Sequence, residues 1–171
     1  QRNILAAALM MAVVACQNNG GSWSKVEKDL ICGEGATMRV LTVYDEADSL
    51  VLRTECAEIS AEDLRSHEYK MLADKMVATV TSPEEDGVGI AGPQVGISRR
   101  VVAVQRFDKD GEPFEVYPNI RISDRRGGKE LGPEGCLSIP GKRGDVSRYR
   151  DIDITYTSVR TLRDTTENIK G

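Results

Sequence analysis

Leu64, Met71, Leu72, Met76 and Val80 recur at helical spacing behind a Ser60/Asp63 pair shaped like a capping box, and the run stops at Ser82-Pro83. That spacing gathers the apolar side chains on one face of a helix. Proline lacks the amide donor and disfavours helical geometry in the residue before it, so the helix cannot continue. One amphipathic helix is predicted over 61–80. The period after it changes: Val101 to Gln105 and Phe114 to Tyr117 flank an Asp110-Gly111 turn as a hairpin would, Ile120 and Ile122 alternate with polar residues, Gly127-Gly128 marks another reversal, and 151–156 alternates strictly. Alternation of two is the mark of a strand with one buried face. One early helix and several short antiparallel strands predict an α+β domain.

A chain of 171 residues suits one domain and is long enough to bury a core without disulfide staples. The net charge of -4 argues against a nucleic-acid surface, because phosphate binding needs a clustered excess of Lys and Arg. Between Arg121 and Arg150 the basic residues alternate with Asp124, Glu130, Glu134 and Asp145, which reads as a solvated mixed surface.

The N-terminal part divides in two. Residues 1–16 hold an apolar run, Ile4 to Ala15, too short for a membrane span and suited to a signal-peptide core. Val-Val-Ala directly before Cys16 resembles a bacterial lipobox, which would make Cys16 a lipidated N-terminus and anchor the protein to a membrane outside the cytoplasm. The alternative is an N-terminal helix of a cytoplasmic domain. Residues 17–37 are polar and glycine-containing, as a tether would be. The folded domain is then 38–171, with a first strand at Met38 to Val43 and a loop over Asp45 to Arg53. Cys32 and Cys56 could pair in an oxidising compartment.

A single histidine restricts the chemistry sharply, since zinc and iron sites usually draw on several His or Cys ligands. None of the four cysteines forms a Cys-x-x-Cys pair. His67-Glu68 opens like a helical metal motif, but Met71 stands at i+4, and His67 reads as an ordinary helix residue. Gly87, Gly89 and Gly92 match a dinucleotide fingerprint in spacing alone: the helix comes before them and the strand after, the reverse of what phosphate binding needs.

Two stretches remain. Gly87 to Gly96 reads Gly-Val-Gly-Ile-Ala-Gly-Pro-Gln-Val-Gly, and Gly132 to Pro140 reads Gly-Pro-Glu-Gly-Cys-Leu-Ser-Ile-Pro. In this order they resemble two motifs of the peptide deformylase family, Gly-x-Gly-x-Ala-Ala-x-Gln and Glu-Gly-Cys-Leu-Ser. The family's third motif, His-Glu-x-x-His, is absent, and Gly171 reads as a cut just before it. Gly92 replaces the second Ala of the usual Ala-Ala pair, an exchange expected to leave room and loosen the loop.

The resemblance implies a peptide-deformylase-like fold of short antiparallel strands packed around helices, truncated before the C-terminal metal-binding helix. It also implies metal-dependent hydrolysis of the formyl group from N-formylmethionyl peptides, releasing formate. The family's divalent metal, iron(II) with zinc or nickel as substitutes, makes hydroxide available near neutrality. By the same comparison Cys136 is a metal ligand, the Gln94 amide and the Leu137 N–H are oxyanion donors, and Val88, Gly89, Glu134 and Arg143 lie along the substrate. With one ligand and no general acid/base, the chain shown should be inactive alone. The competing expectation is an exported deformylase-fold lipoprotein that binds peptides, or serves the envelope, without hydrolysis.

Overall fold

The computed structural model describes residues 22–170, so the leader expected over 1–16, with Cys16, lies outside the described residues. Three helices come first: α1 (Lys25–Ile31), α2 (Glu46–Leu52) and α3 (His67–Val80). Six strands follow: β1 (Gly89–Ala91), β2 (Val101–Gln105), β3 (Phe114–Pro118), β4 (Arg121–Gly135), β5 (Arg143–Thr157) and β6 (Asp164–Lys170). They form two antiparallel sheets, ordered β1-β2-β3 and β4-β5-β6. The α+β expectation holds. No helix among the described residues is long and apolar enough to cross a membrane.

The part of 17–37 that is described is not a free tether. Ser24 caps α1 in a reciprocal box with Glu27, which satisfies orphan amides at both positions. Trp23 and Ile31 enter the core, and Glu27 pairs with the fully buried Arg99, its Oε1 2.5 Å from Nε. A charged residue that points inward escapes any reading based on apolar periodicity.

Two more local expectations are corrected. Met38 to Val43 belongs to no strand, because its amides go to four separate elements: Met38 N–H to Thr79 Oγ1, Leu41 N–H to the Gln94 carbonyl, Thr42 N–H to the Asp48 carboxylate and Val43 N–H to the Ser138 carbonyl. The stretch expected as a loop over Asp45 to Arg53 is α2, started by the Asp45 carboxylate accepting from Asp48 N–H at 2.9 Å.

The predicted helix over 61–80 is split. Ser60 and Asp63 start only a 3₁₀ turn, Asp63–Arg65, and the chain begins again at Ser66, whose hydroxyl accepts from Tyr69 N–H. From there Tyr69, Leu72, Met76 and Val80 form the buried stripe, packing with Ile90, Val101 and Ala103 of the first sheet. The hairpin predicted around Asp110-Gly111 is present as β2 and β3, in register from Val101↔Pro118 to Gln105↔Phe114.

Gly127-Gly128 is not a reversal. It is an irregularity inside β4, with the register shifting between Arg126 and Lys129 and Gly127 at φ 70°; glycine takes that left-handed conformation without steric cost, so the strand bulges and continues. The alternating 151–156 run lies within β5, where Ile154 is buried. β5 meets the first sheet through Tyr117 and Tyr156, edge to face at 4.8 Å. Arg106, buried at the end of β2, reaches Glu167 on β6 at 3.0 Å. Cys32, Cys56 and Cys136 are free thiols, so the 32–56 pairing does not form here.

Candidate active site

The end of α3 leads straight into the glycine bend, since Gly87 N–H donates to the Val80 carbonyl at 2.8 Å. Val88 is exposed, its carbonyl accepting from Gln105 N–H, and Gly89 opens β1, the outer strand of its sheet, opposite Val104. A 3₁₀ turn, Gly92–Val95, then brings Gln94 back onto β1. Its Oε1 accepts from Ala91 N–H at 2.9 Å, and its Nε2 donates to Ser138 Oγ at 3.2 Å. Both ends of the amide are therefore held, and one of the two Nε2 hydrogens remains available.

Gly92 does not leave room. A Cβ built there would stand 2.7 Å from the carbonyl oxygens of both Arg99 and Ile97. The glycine is what lets the turn lie against the following backbone. Gly92→Ala is accordingly expected to cost about 1–3 kcal/mol through overpacking; equal urea midpoints for variant and parent would refute this.

The second stretch closes the β4–β5 hairpin. Ile139 N–H donates to the Cys136 carbonyl and Lys142 N–H to the Ile139 carbonyl, which folds Cys136 to Lys142 into consecutive tight turns. Val43 N–H binds the Ser138 carbonyl and the Tyr44 hydroxyl the Pro140 carbonyl, fastening the turn to the segment before α2. Ser138 is buried, the Leu137 side chain packs against Gly87, and Cys136 is exposed.

The two stretches therefore meet at Gln94 and Ser138, one residue from the Leu137 amide and two from the Cys136 thiol. Ser138 was not among the residues singled out, although it stands inside Glu-Gly-Cys-Leu-Ser. A buried hydroxyl beside a side-chain amide is the kind of partner that only the fold reveals.

The other candidates are placed differently. Glu134 forms a two-pronged ion pair with Arg148, both contacts 2.9 Å, and that hydrogen bonding holds its carboxyl below the usual range. Arg143 is exposed opposite Gly135. His67 begins α3, fourteen residues long, whose far end touches the glycine bend; at 1.5 Å per residue it lies roughly 20 Å away along the axis.

The donor set does not amount to a metal site. Among the described residues no group of three or more His, Cys, Asp or Glu side chains is arranged to hold an ion, and catalytic zinc sites, for comparison, use three protein ligands. Cys136, expected as a thiolate ligand, belongs to no such group among the described residues.

The family model for polypeptide deformylase matches residues 38–171. The chain belongs to the polypeptide deformylase family. This deformylase-family chain is 32% identical over 121 residues to a peptide deformylase of Finegoldia magna, covering 71% of this chain and 68% of that protein. It is 35% identical over 112 residues to peptide deformylase 1 of Clostridium perfringens, covering 66% and 71%. Among solved structures, the Met-Ala-Ser-bound class I type b peptide deformylase of Acinetobacter baumannii superposes with a TM-score of 0.67 at 32% identity, covering 79% of this chain and 84% of that one. The Thermotoga maritima peptide deformylase gives 0.66 at 27% identity, covering 79% and 82%. Helix α1 precedes the matched stretch, although it packs into the same core.

Proposed function

We propose that this deformylase-family chain acts on N-formylmethionyl peptides and carries the oxyanion donors and one metal ligand of a deformylase. The observation that carries the reading is the Gln94–Ser138 hydrogen bond, which fixes the side-chain amide next to the Cys-Leu-Ser backbone. Hydrolysis of a formamide passes through a tetrahedral oxyanion before the C–N bond breaks, giving formate and a free amine. The unused Nε2 hydrogen of Gln94 and the N–H of Leu137 are the donors proposed for that oxyanion. Val88 precedes and Gly89 opens an outer strand, where a peptide main chain can add as a further strand. The peptide in the Acinetobacter baumannii structure supports this class of ligand.

The family is one of metalloenzymes. Cys136 is the proposed thiolate ligand, and the single imidazole of these 171 residues, His67, is too remote to join it. The 171 residues by themselves are therefore expected to release no formate from formyl-Met-Ala-Ser, whereas a chain continuing past Gly171 into a His-Glu-x-x-His segment releases it. An enzyme-coupled formate assay on both chains is the test. Formate release by the 171-residue chain, at the rate of the longer one, would overturn the ligand assignment. Peptide binding without release by the longer chain would favour a binding protein on the same fold.

A further inference from the structure

A cavity of about 420 Å³ shares a wall with the turn that carries Gln94. Val26 and Leu30 of α1, Val51 of α2, Leu41 and Val95 make it largely apolar, and Lys75 of α3 lines it as well. Leu41 donates its N–H to the Gln94 carbonyl, so this wall is continuous with the candidate active site. Val26, Leu30 and Glu34 precede the stretch that matches the family, so the α1 side of the cavity is not part of that match.

Lys75 is the unusual lining residue. It is only 8% exposed, and its ammonium has one hydrogen bond, to the Gly33 carbonyl at 2.5 Å. An ammonium carries three donors, and lysine is rarely buried without a paired charge. Among the described residues no carboxylate forms an ion pair with it. Asp48, the acid on the same wall, is held by both guanidinium nitrogens of Arg39 at 2.6 and 2.8 Å. Glu34 is exposed at the rim and forms no ion pair with Lys75. Residues 1–21 contain no Asp or Glu and cannot supply a side-chain carboxylate.

A largely apolar, solvent-open pocket with a buried ammonium on its wall suits an amphiphile with an anionic head. We infer that this cavity binds an amphiphile with a carboxylate head and an apolar tail, of the medium-chain fatty-acid class. The head takes the free Lys75 donors and the tail lies against Val26, Leu30 and Val51. The volume falls in the range of small-molecule sites, about 300–1,000 Å³. The inference does not depend on the deformylase reading, since neither Cys136 nor Ser138 touches the cavity.

Calorimetric titration of the whole chain with decanoate, decanol and decyltrimethylammonium, each below its micelle-forming concentration, tests it. Decanoate should bind with one site per chain, about 10-fold or more tighter than decanol, with the ammonium weaker still. Lys75→Met should bring decanoate down to the decanol level. Val51→Trp, which fills the chamber from α2, should remove binding of all three, with far-UV circular dichroism confirming that it folds. Should Lys75→Met fail to fold, the head-group order on the parent chain and the Val51→Trp result decide alone. Equal affinity for the three heads overturns the inference, as does undiminished binding to folded Val51→Trp. Failure of decanoate to bind overturns it too, including failure because the chain's own apolar residues 4–15 fill the space.

Discussion

Gln94→Leu, placed in a formate-releasing form of the protein, is expected to lower kcat about 100- to 1000-fold while KM changes little, because the proposed donor would act on charge that develops only in the transition state. Leucine also removes the bonds to Ala91 and Ser138, so a loosened turn would contribute. Gln94→Glu separates the two effects. The carboxylate can still accept from Ala91 N–H, yet it presents negative charge where the oxyanion forms, so kcat should fall at least as far. Steady-state kinetics on formyl-Met-Ala-Ser would show it, and a Gln94→Glu enzyme within about threefold of the parent would exclude Gln94 as an oxyanion donor.

Removing the Glu27 carboxylate should have the largest effect on stability. Arg99 is fully buried and meets Glu27 through two nitrogens, at 2.5 and 3.0 Å, with the guanidinium 5.3 Å from the Trp23 ring centre. Glu27→Ala strips the carboxylate from a fully buried cation that keeps its bond to the Glu58 carbonyl, and breaking such a buried pair costs about 3–5 kcal/mol. Trp23, the single tryptophan, reports the change directly in urea-unfolding fluorescence. Glu27→Gln keeps an acceptor and should lose less.

The same pair predicts an acid limb of stability. Burial pushes the Glu27 carboxyl up, but the hydrogen bonds from Arg99 and Ser24 outweigh it, and the folded value lies below the ordinary one. The unfolded chain therefore binds this proton first. The contribution is present above the unfolded pKa of about 4.3 and is lost as pH falls through the lower folded value. In Glu27→Ala this part of the acid limb should disappear.

These two sites differ in how far the sequence disclosed them. Gln94 and Cys136 stand in dense local motifs, so their types and spacing were readable, and the Asp110-Gly111 hairpin was equally local. Helix α1 was not, because Glu27 is buried only by virtue of Arg99, which lies 72 positions away. The segment from Met38 to Val43 reads as a strand because it is apolar, and Met38, Val40 and Leu41 do turn toward the core, yet its amides are satisfied one at a time by Thr79, Gln94, Asp48 and Ser138. Gly127-Gly128 carried the composition of a turn, and only the pairing of β4 with β5 on both sides shows it to be a bulge. Ser138 escaped notice for the same reason as Glu27: its partner, Gln94, is 44 residues earlier.

Metal content measured beside formate release tests the role of Cys136 most directly. A chain that continues past Gly171 into a His-Glu-x-x-His segment should hold about one divalent metal per chain, and Cys136→Ala should bring both metal and formate release to background, since the proposed thiolate would be one of the three protein ligands such a site uses. Full metal content or unchanged formate release in a folded Cys136→Ala protein would contradict the placement of the reaction centre at Cys136, Leu137 and Gln94.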